Sequence, residues 1–158
     1  MENGLVSGIA FQKDQMKYTL HGVSDTPGIA YAILGPLSDA NIEVDVIVQN
    51  VSVNGKTDFT FTVSKEDEIS TTTVINKLKD SLNFDDLLID SNIAKVSLVG
   101  VGMRSHAGIA SKAFKALSEN EVNILMISTS EIKITIVIED SSVETAVKAL
   151  HNSFELDK

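Results

Sequence analysis

Two short stretches hold the residues best suited to grip a small charged ligand: "SDTPGIAYAI" (24–33) and "RSHAGIASKAF" (104–114). Each places a Gly-Ile-Ala step where a helix should begin. A helix start leaves backbone N–H groups unpaired and carries partial positive charge. A carboxylate docks there if no side chain blocks the approach, and Gly28 and Gly108 clear that approach. The plainer reading of the same glycines is close strand–helix packing. Asp25 and Asp45 are carboxylates that would pair with an ammonium group, although Asp25 also reads as a helix cap. Asp45 interrupts a Val/Ile run, where a charge needs solvent or a partner. Gln49 lies four residues on, on the same face.

Other chemistry finds little support. His21, His106 and His151 are scattered, and no pair has ligand spacing on one element. Ser105 and His106 are sequence neighbours, which is not how a catalytic triad is assembled. No Gly-rich phosphate loop is present, nor a G-x-G-x-x-G step. The run "KEDE" (65–68) reads as a solvated loop, and "STSE" (128–131) as a strand-to-hairpin turn whose serines could donate to a ligand. Absence of cysteine excludes disulfides, thiolate metal sites and a thiol nucleophile.

The 158 residues are 43% apolar and 22% charged, enough to build a packed core in one domain or two small ones. Aromatics are only 5%, so the core must be mostly Ile, Val, Leu and Ala. A net charge of −9 argues against nucleic acid and anionic membrane as partners. The start "MENGLVSGIAF" lacks the basic residues and long apolar core of a secretion signal, and no apolar run would span a bilayer. The expected location is the cytoplasm.

The elements that must position the two glycine steps are themselves duplicated. "KYTLHGVSDTPGIAYAILGPLSDANIEVDVIVQNVS" (17–52) aligns with "KVSLVGVGMRSHAGIASKAFKALSENEVNILMISTS" (95–130). Gly22-Val23 meets Gly100-Val101, Gly28-Ile29-Ala30 meets Gly108-Ile109-Ala110, and Leu37 meets Leu117. The spacing is too long for a solenoid, so the copies form a tandem pair of small domains.

In the first copy, "KYTLHGV" alternates as a strand. Asp25 or Thr26 is expected to cap the following helix, with Pro27 in its first turn. Gly35-Pro36 inside that helix predicts a kink or early break. "EVDVIVQNVS" (43–52) reads as a strand. "VNGK" signals a hairpin into "TDFTFTV" (57–63), which should bury Phe59, Phe61 and Val63 and turn Thr60 and Thr62 outward. Residues 70–82 read as a helix and 86–91 as a short closing strand.

That order is βαββαβ, a ferredoxin-like arrangement, so the fold class is α+β. The second copy runs strand 95–102, helix 107–119, strands 123–129 and 132–138, and helix 142–153. Ile132, Ile134, Ile136 and Ile138 should share one face, toward the helices. This copy is one strand short, while "LVSGIAF" (5–11), ahead of a turn "QKDQ", is one strand too many. The N-terminal strand is therefore expected to complete the second sheet. This puts one domain at 15–91, inserted into another made of 1–14 plus 92–158.

These segments together resemble the C-terminal regulatory region of bacterial aspartate kinases, a tandem pair of ACT domains. The resemblance rests on "SGIAF", "GVSDTPGIA", "ANIEVDVIVQNVS", "TDFTFTV", "KVSLVGVGMRSHAGIA", "VNILMISTSEIKITIVI" and "ALHNSFEL", nearly the whole chain. It implies two ACT domains, the first inserted into the second, that bind end-product amino acids, usually lysine, threonine or both. Binding would inhibit an attached kinase that phosphorylates the β-carboxylate of aspartate, the first step toward lysine, threonine and methionine.

By position, the resemblance implies effector contacts at Asp25, Gly28, Ile29, Ala30, Ile47, Gln49 and Ser52, with Thr57 and Thr60 nearby. In the second copy it implies His106, Gly108, Ile109, Ala110, Asn123, Ile124 and Met126. It implies a homodimer through the ACT domains, with Val44 to Asn50 pairing across an edge, and a kinase domain or subunit as partner. ATP and magnesium would belong to that kinase, so this chain is expected to need no cofactor and to catalyse nothing itself. It would be either a fragment of a longer enzyme or a separately translated subunit.

Two rivals share the element order. An RNA-recognition module would want exposed aromatics and basic surroundings, which are missing. A small hydrolase of the acylphosphatase type would want arginine in a phosphate loop, and the only arginine is Arg104. A pure dimerisation module is the third reading.

Overall fold

The structure is a computed structural model that describes residues 6–100 and 106–155. Its elements are β1 (Gly8–Ser24), α1 (Ile29–Asp39), β2 (Ile47–Gln49), β3 (Lys56–Ser64), α2 (Glu68–Leu82), β4 (Asp86–Val99), α3 (His106–Glu119), β5 (Met126–Thr129), β6 (Lys133–Glu139) and α4 (Val143–Ser153). They divide into two compact units. One is residues 14–91; the other takes the chain up to Lys13 and resumes at Asn92.

Within 14–91 the strand order is β2-β3-β1-β4; within the other unit it is β1-β4-β6-β5. Numbered locally, both are 4-1-3-2, the ferredoxin-like order. In the second unit the fourth position is filled by the start of β1, the earliest strand in sequence. β1 and β4 each contribute one segment to each unit. The expected turn at "QKDQ" is therefore absent: β1 runs through it, with Asp14 at φ 58°, a left-handed conformation that a short polar side chain tolerates. Likewise residues 86–91 and 95–99 belong to one strand, β4.

The core of 14–91 forms between one sheet face and two helices. Met16, Tyr18 and Leu20 of β1 and Phe59, Phe61 and Val63 of β3 meet Ile33 and Leu37 of α1 and Ile75 of α2. The period-2 spacing in the strands and the i, i+4 spacing in α1 make this face continuous. Tyr18 and Phe61 stack with centroids 5.5 Å apart. The other unit repeats the plan with no aromatic from β4 or β6: Ala94, Val96, Leu98, Ile134, Ile136 and Ile138 meet Ile109, Ala113 and Leu117 of α3 and Val143, Ala146 and Leu150 of α4.

Several expectations need correction. Thr62 is fully buried rather than outward, because the irregular segment before β2 folds over it and Val46 N–H donates to its Oγ1 at 3.1 Å. Ile132 is half exposed, since β6 starts only at Lys133. The strand expected over 43–52 pairs regularly only at Ile47–Gln49. Helix α1 passes through Pro36 to Asp39. Pro36 lies in the last turn, where it removes a single helical bond, and Gly35 has no Cβ to clash with the proline ring.

Both first helices end alike. Ile42 N–H donates to Leu37 C=O at 3.0 Å, and Val122 N–H to Leu117 C=O at 2.9 Å. The residues between, Asn41 and Glu121, have φ 61° and 57°. These are Schellman ends, in which the residue after the left-handed one packs against the helix it closes. Ile42 and Val122 are both buried accordingly.

Candidate functional site

The chain enters α1 from a bulge at the end of β1. Leu20 pairs with Phe59 and Val23 with Thr57, so His21 and Gly22 together face Asp58. Gly22 has φ 74°, and a Cβ there would collide with the Asp85 carboxylate, so the bulge needs glycine. The Asn54–Gly55 turn closes the β3 hairpin with φ 54° and 76°, the two left-handed residues an Asn-Gly turn supplies. Asp25 N–H then donates to Gly55 C=O at 2.9 Å, holding the loop against that turn.

Gly28, at φ 89°, is the N-cap of α1, and no side chain caps the helix. This corrects the sequence expectation: Asp25 and Thr26 lie too early, and Pro27 precedes the cap rather than entering the first turn. Nothing stands within 4 Å of where a Cβ on Gly28 would point. The first-turn amides that a cap would satisfy are left to solvent or a ligand. Asp25 and Gly28 are exposed, and Ile29 and Ala30 half-buried.

β1 and β2 are both antiparallel to β3, so both finish at the same end of the sheet, where α1 begins. The end of β2 thus comes to the helix start. Ile47 pairs with Phe61 and Gln49 with Phe59, which puts both on the helix-bearing face. Both are nonetheless exposed, because β2 is the edge strand. Thr57 is buried and donates its Oγ1 proton to Asn50 C=O, tying the strand end down. Ser52 is half-buried in the following loop. Thr60 is half-buried on the opposite face, its Oγ1 3.0 Å from that of Thr19. Asp45 precedes β2, exposed, with its N–H donating to Thr62 C=O at 3.0 Å. Asp25, Gly28, Ile29, Ala30, Ile47 and Gln49 therefore gather at one end of the sheet, and Thr60 stays apart.

The second unit differs at the matching place. The chain is already helical at His106, so Gly108 sits inside α3 rather than ahead of it. Residues 101–105, including Arg104 and Ser105, and the His106 side chain lie outside the described residues. Ile109 is buried in the core, Ala110 and Ile124 are half-buried, and Asn123 is exposed. Met126 pairs with Val137, on the face away from the helices, and is buried. The residues that occupy the places of Ile47 and Gln49 are Ile127 and Thr129, which pair with Ile136 and Ile134 and are both exposed. Sequence reasoning missed them, although the 80-residue offset between Gly28 and Gly108 points straight to both. It also missed Asp58, whose signal was a lone charge among the alternating Thr and Phe of β3.

Among the described residues no group of three His, Asp or Glu could hold a metal ion, and no helix is long and apolar enough to cross a membrane.

Residues 19–83 and 96–154 each match the ACT domain family. The chain is 54% identical over 157 residues to an aspartokinase of Pseudomonas aeruginosa, covering 99% of this chain. It spans 38% of that relative's length. Among solved structures, aspartokinase alpha and beta subunits superpose with a TM-score of 0.88 at 47% identity, covering 95% of this chain and 99% of that one. The ligand-free regulatory subunit of aspartate kinase from Thermus thermophilus gives 0.89 at 33% identity, with the same coverages.

Proposed function

The chain belongs to the aspartokinase family, as its tandem-ACT regulatory region, and from that premise we propose that it binds lysine, threonine or both and thereby inhibits an aspartate kinase. The observation that carries this reading is the open start of α1: Gly28 in a left-handed conformation, uncapped, with free space beside it. The α-carboxylate of an amino acid docks on the first-turn amides, where the helix dipole favours it. Its ammonium group turns to Asp25. Ile47 and Gln49, exposed on the helix-bearing face of β2, sort the side chain.

The exposed backbone of β2 gives a second copy of the chain an edge to pair with, which closes the ligand in from the other side. The catalytic partner is the kinase domain of a longer chain or a separate catalytic subunit, and ATP and magnesium are bound there. Inhibition requires that the amino acid favour one arrangement of the assembly over another.

Calorimetric titration with L-lysine, L-threonine and L-methionine tests the proposal. Saturable heat with lysine or threonine is expected. Silence with all three leaves only a dimerisation scaffold and overturns it.

A further inference from the structure

The bulge that launches the α1 loop is held by one carboxylate. Asp58 Oδ1 accepts the Gly22 N–H at 3.2 Å and lies 2.7 Å from His21 Nδ1. Both residues of the bulge are thus gripped by the single residue they face. The back of the bulge is fixed as well: Asp85 N–H donates to His21 C=O at 2.8 Å, and Lys56 Nζ reaches Asp85 Oδ1 at 3.3 Å. Only two residues, Val23 and Ser24, separate the bulge from Asp25. They are locked in register to Thr57 and Lys56, so the position of the bulge passes along paired backbone into the loop.

The second unit lacks this device. Aligning β3 with β6 through their core residues puts Lys133 at the place of Asp58, and Val99 at the place of His21. Lys133 pairs with Val99 in plain register, without a bulge. The remaining polar pattern of that face is kept: Ser97 and Thr135 hydroxyls lie 3.1 Å apart, as Thr19 and Thr60 hydroxyls do. The clasp is therefore a departure confined to one copy of an otherwise repeated sheet.

We propose that Asp58 is a positioning residue for the ligand site of residues 14–91: its carboxylate fixes the His21–Gly22 bulge and so sets where Asp25 and the Gly28 helix start present themselves. The inference rests on the amino-acid-binding reading above. Asp58 touches no ligand in it and acts through backbone geometry. A merely stabilising contact would lower the melting temperature without singling out the loop.

The test compares Asp58→Ala with Asp58→Asn, which keeps an oxygen for the Gly22 N–H. Amide frequencies are recorded by NMR in the ligand-free chain, and affinity is measured for whichever of lysine and threonine the wild type binds. In Asp58→Ala the amides of Asp25, Thr26, Gly28 and Ile29 shift and affinity falls about tenfold, the size expected when a charged acceptor is removed. Asp58→Asn recovers most of that loss. Unmoved loop amides in Asp58→Ala overturn the clasp. Moved amides with unchanged affinity, or an Asn variant as weak as the Ala variant, overturn its role in binding. A wild type silent to all ligands would sink the binding reading instead, and the amide frequencies alone then decide whether the clasp positions the loop.

Discussion

The two units are copies that differ where a ligand would sit and agree where only the fold is at stake. Strand order, Schellman helix ends and cross-strand hydroxyl pairs recur in both. The helix start does not. In 14–91 a bulged, carboxylate-clasped strand leads to an open glycine cap; in the other unit the matching strand is unbulged and the glycine is already helical. The cores differ too. Tyr18, Phe59 and Phe61 stand where the second unit has Val96, Ile134 and Ile136. Duplication preserves what every copy needs in order to close its sheet under two helices. It leaves free the corner proposed above for recognition.

The comparison can be broken most forcefully in the cores. Phe61→Ala should cost about 3–5 kcal/mol in denaturant unfolding, since it removes a stacked ring from a fully buried site. Ile136→Ala, at the matching place, should cost about 2–5 kcal/mol and fall below Phe61→Ala, because the cavity left is smaller. An equal or reversed order would show that aromatic packing gives 14–91 no greater dependence on that position.

The glycines should respond with opposite sign. Gly28→Ala forces a Cβ into a left-handed residue and should destabilise the chain by about 1–2 kcal/mol. Gly108→Ala replaces a poor helix former inside α3 and should stabilise by about 0.5–1 kcal/mol. Melting temperatures of the two variants measure this. A shift in the same direction would mean that the two steps are structurally alike after all.

A smaller contrast lies at the helix ends. Asn41 suits its left-handed conformation and Glu121 does not. Glu121→Gly should therefore raise stability by about 1 kcal/mol, and Asn41→Gly by no more than a few tenths. Paired thermal melts would read the difference.

The last contrast is one of pH. Burial raises the Tyr18 phenol above its ordinary value, outweighing the hydrogen bond with Thr72 that lowers it. Tyr18 then ionises more readily in the unfolded chain than in the folded one. Its contribution is full below the unfolded value of about 10 and is lost as pH rises past it. Val96, its counterpart, cannot titrate. Hydrogen exchange above pH 10 should accelerate first at the core amides of 14–91, and Tyr18→Phe should remove the difference.

Much of this was legible without coordinates. Alternating Phe59, Phe61 and Val63 named their own face, and the missing strand of the second copy matched the surplus strand at the N-terminus. Element order followed from such patterns, because burial periodicity is written residue by residue; the amino-acid-binding reading came from the resemblance. The edges of elements were less readable. "QKDQ" has turn composition yet lies within β1, and Thr62 alternates outward on paper yet is covered by an irregular segment of its own unit.

The sequence by itself determined a repeated βαββαβ chain with a glycine step at a helix start in each copy, an acidic net charge and no cysteine. Only the tertiary structure decided that Gly28 caps a helix while Gly108 lies within one, that Ile127 and Thr129 rather than Met126 stand where Ile47 and Gln49 do, and that Asp58 grips the strand leading into α1. Each of these depends on strand register. A shift of one residue exchanges the two faces of a strand, and a single bulge supplies that shift without leaving a signature in local composition.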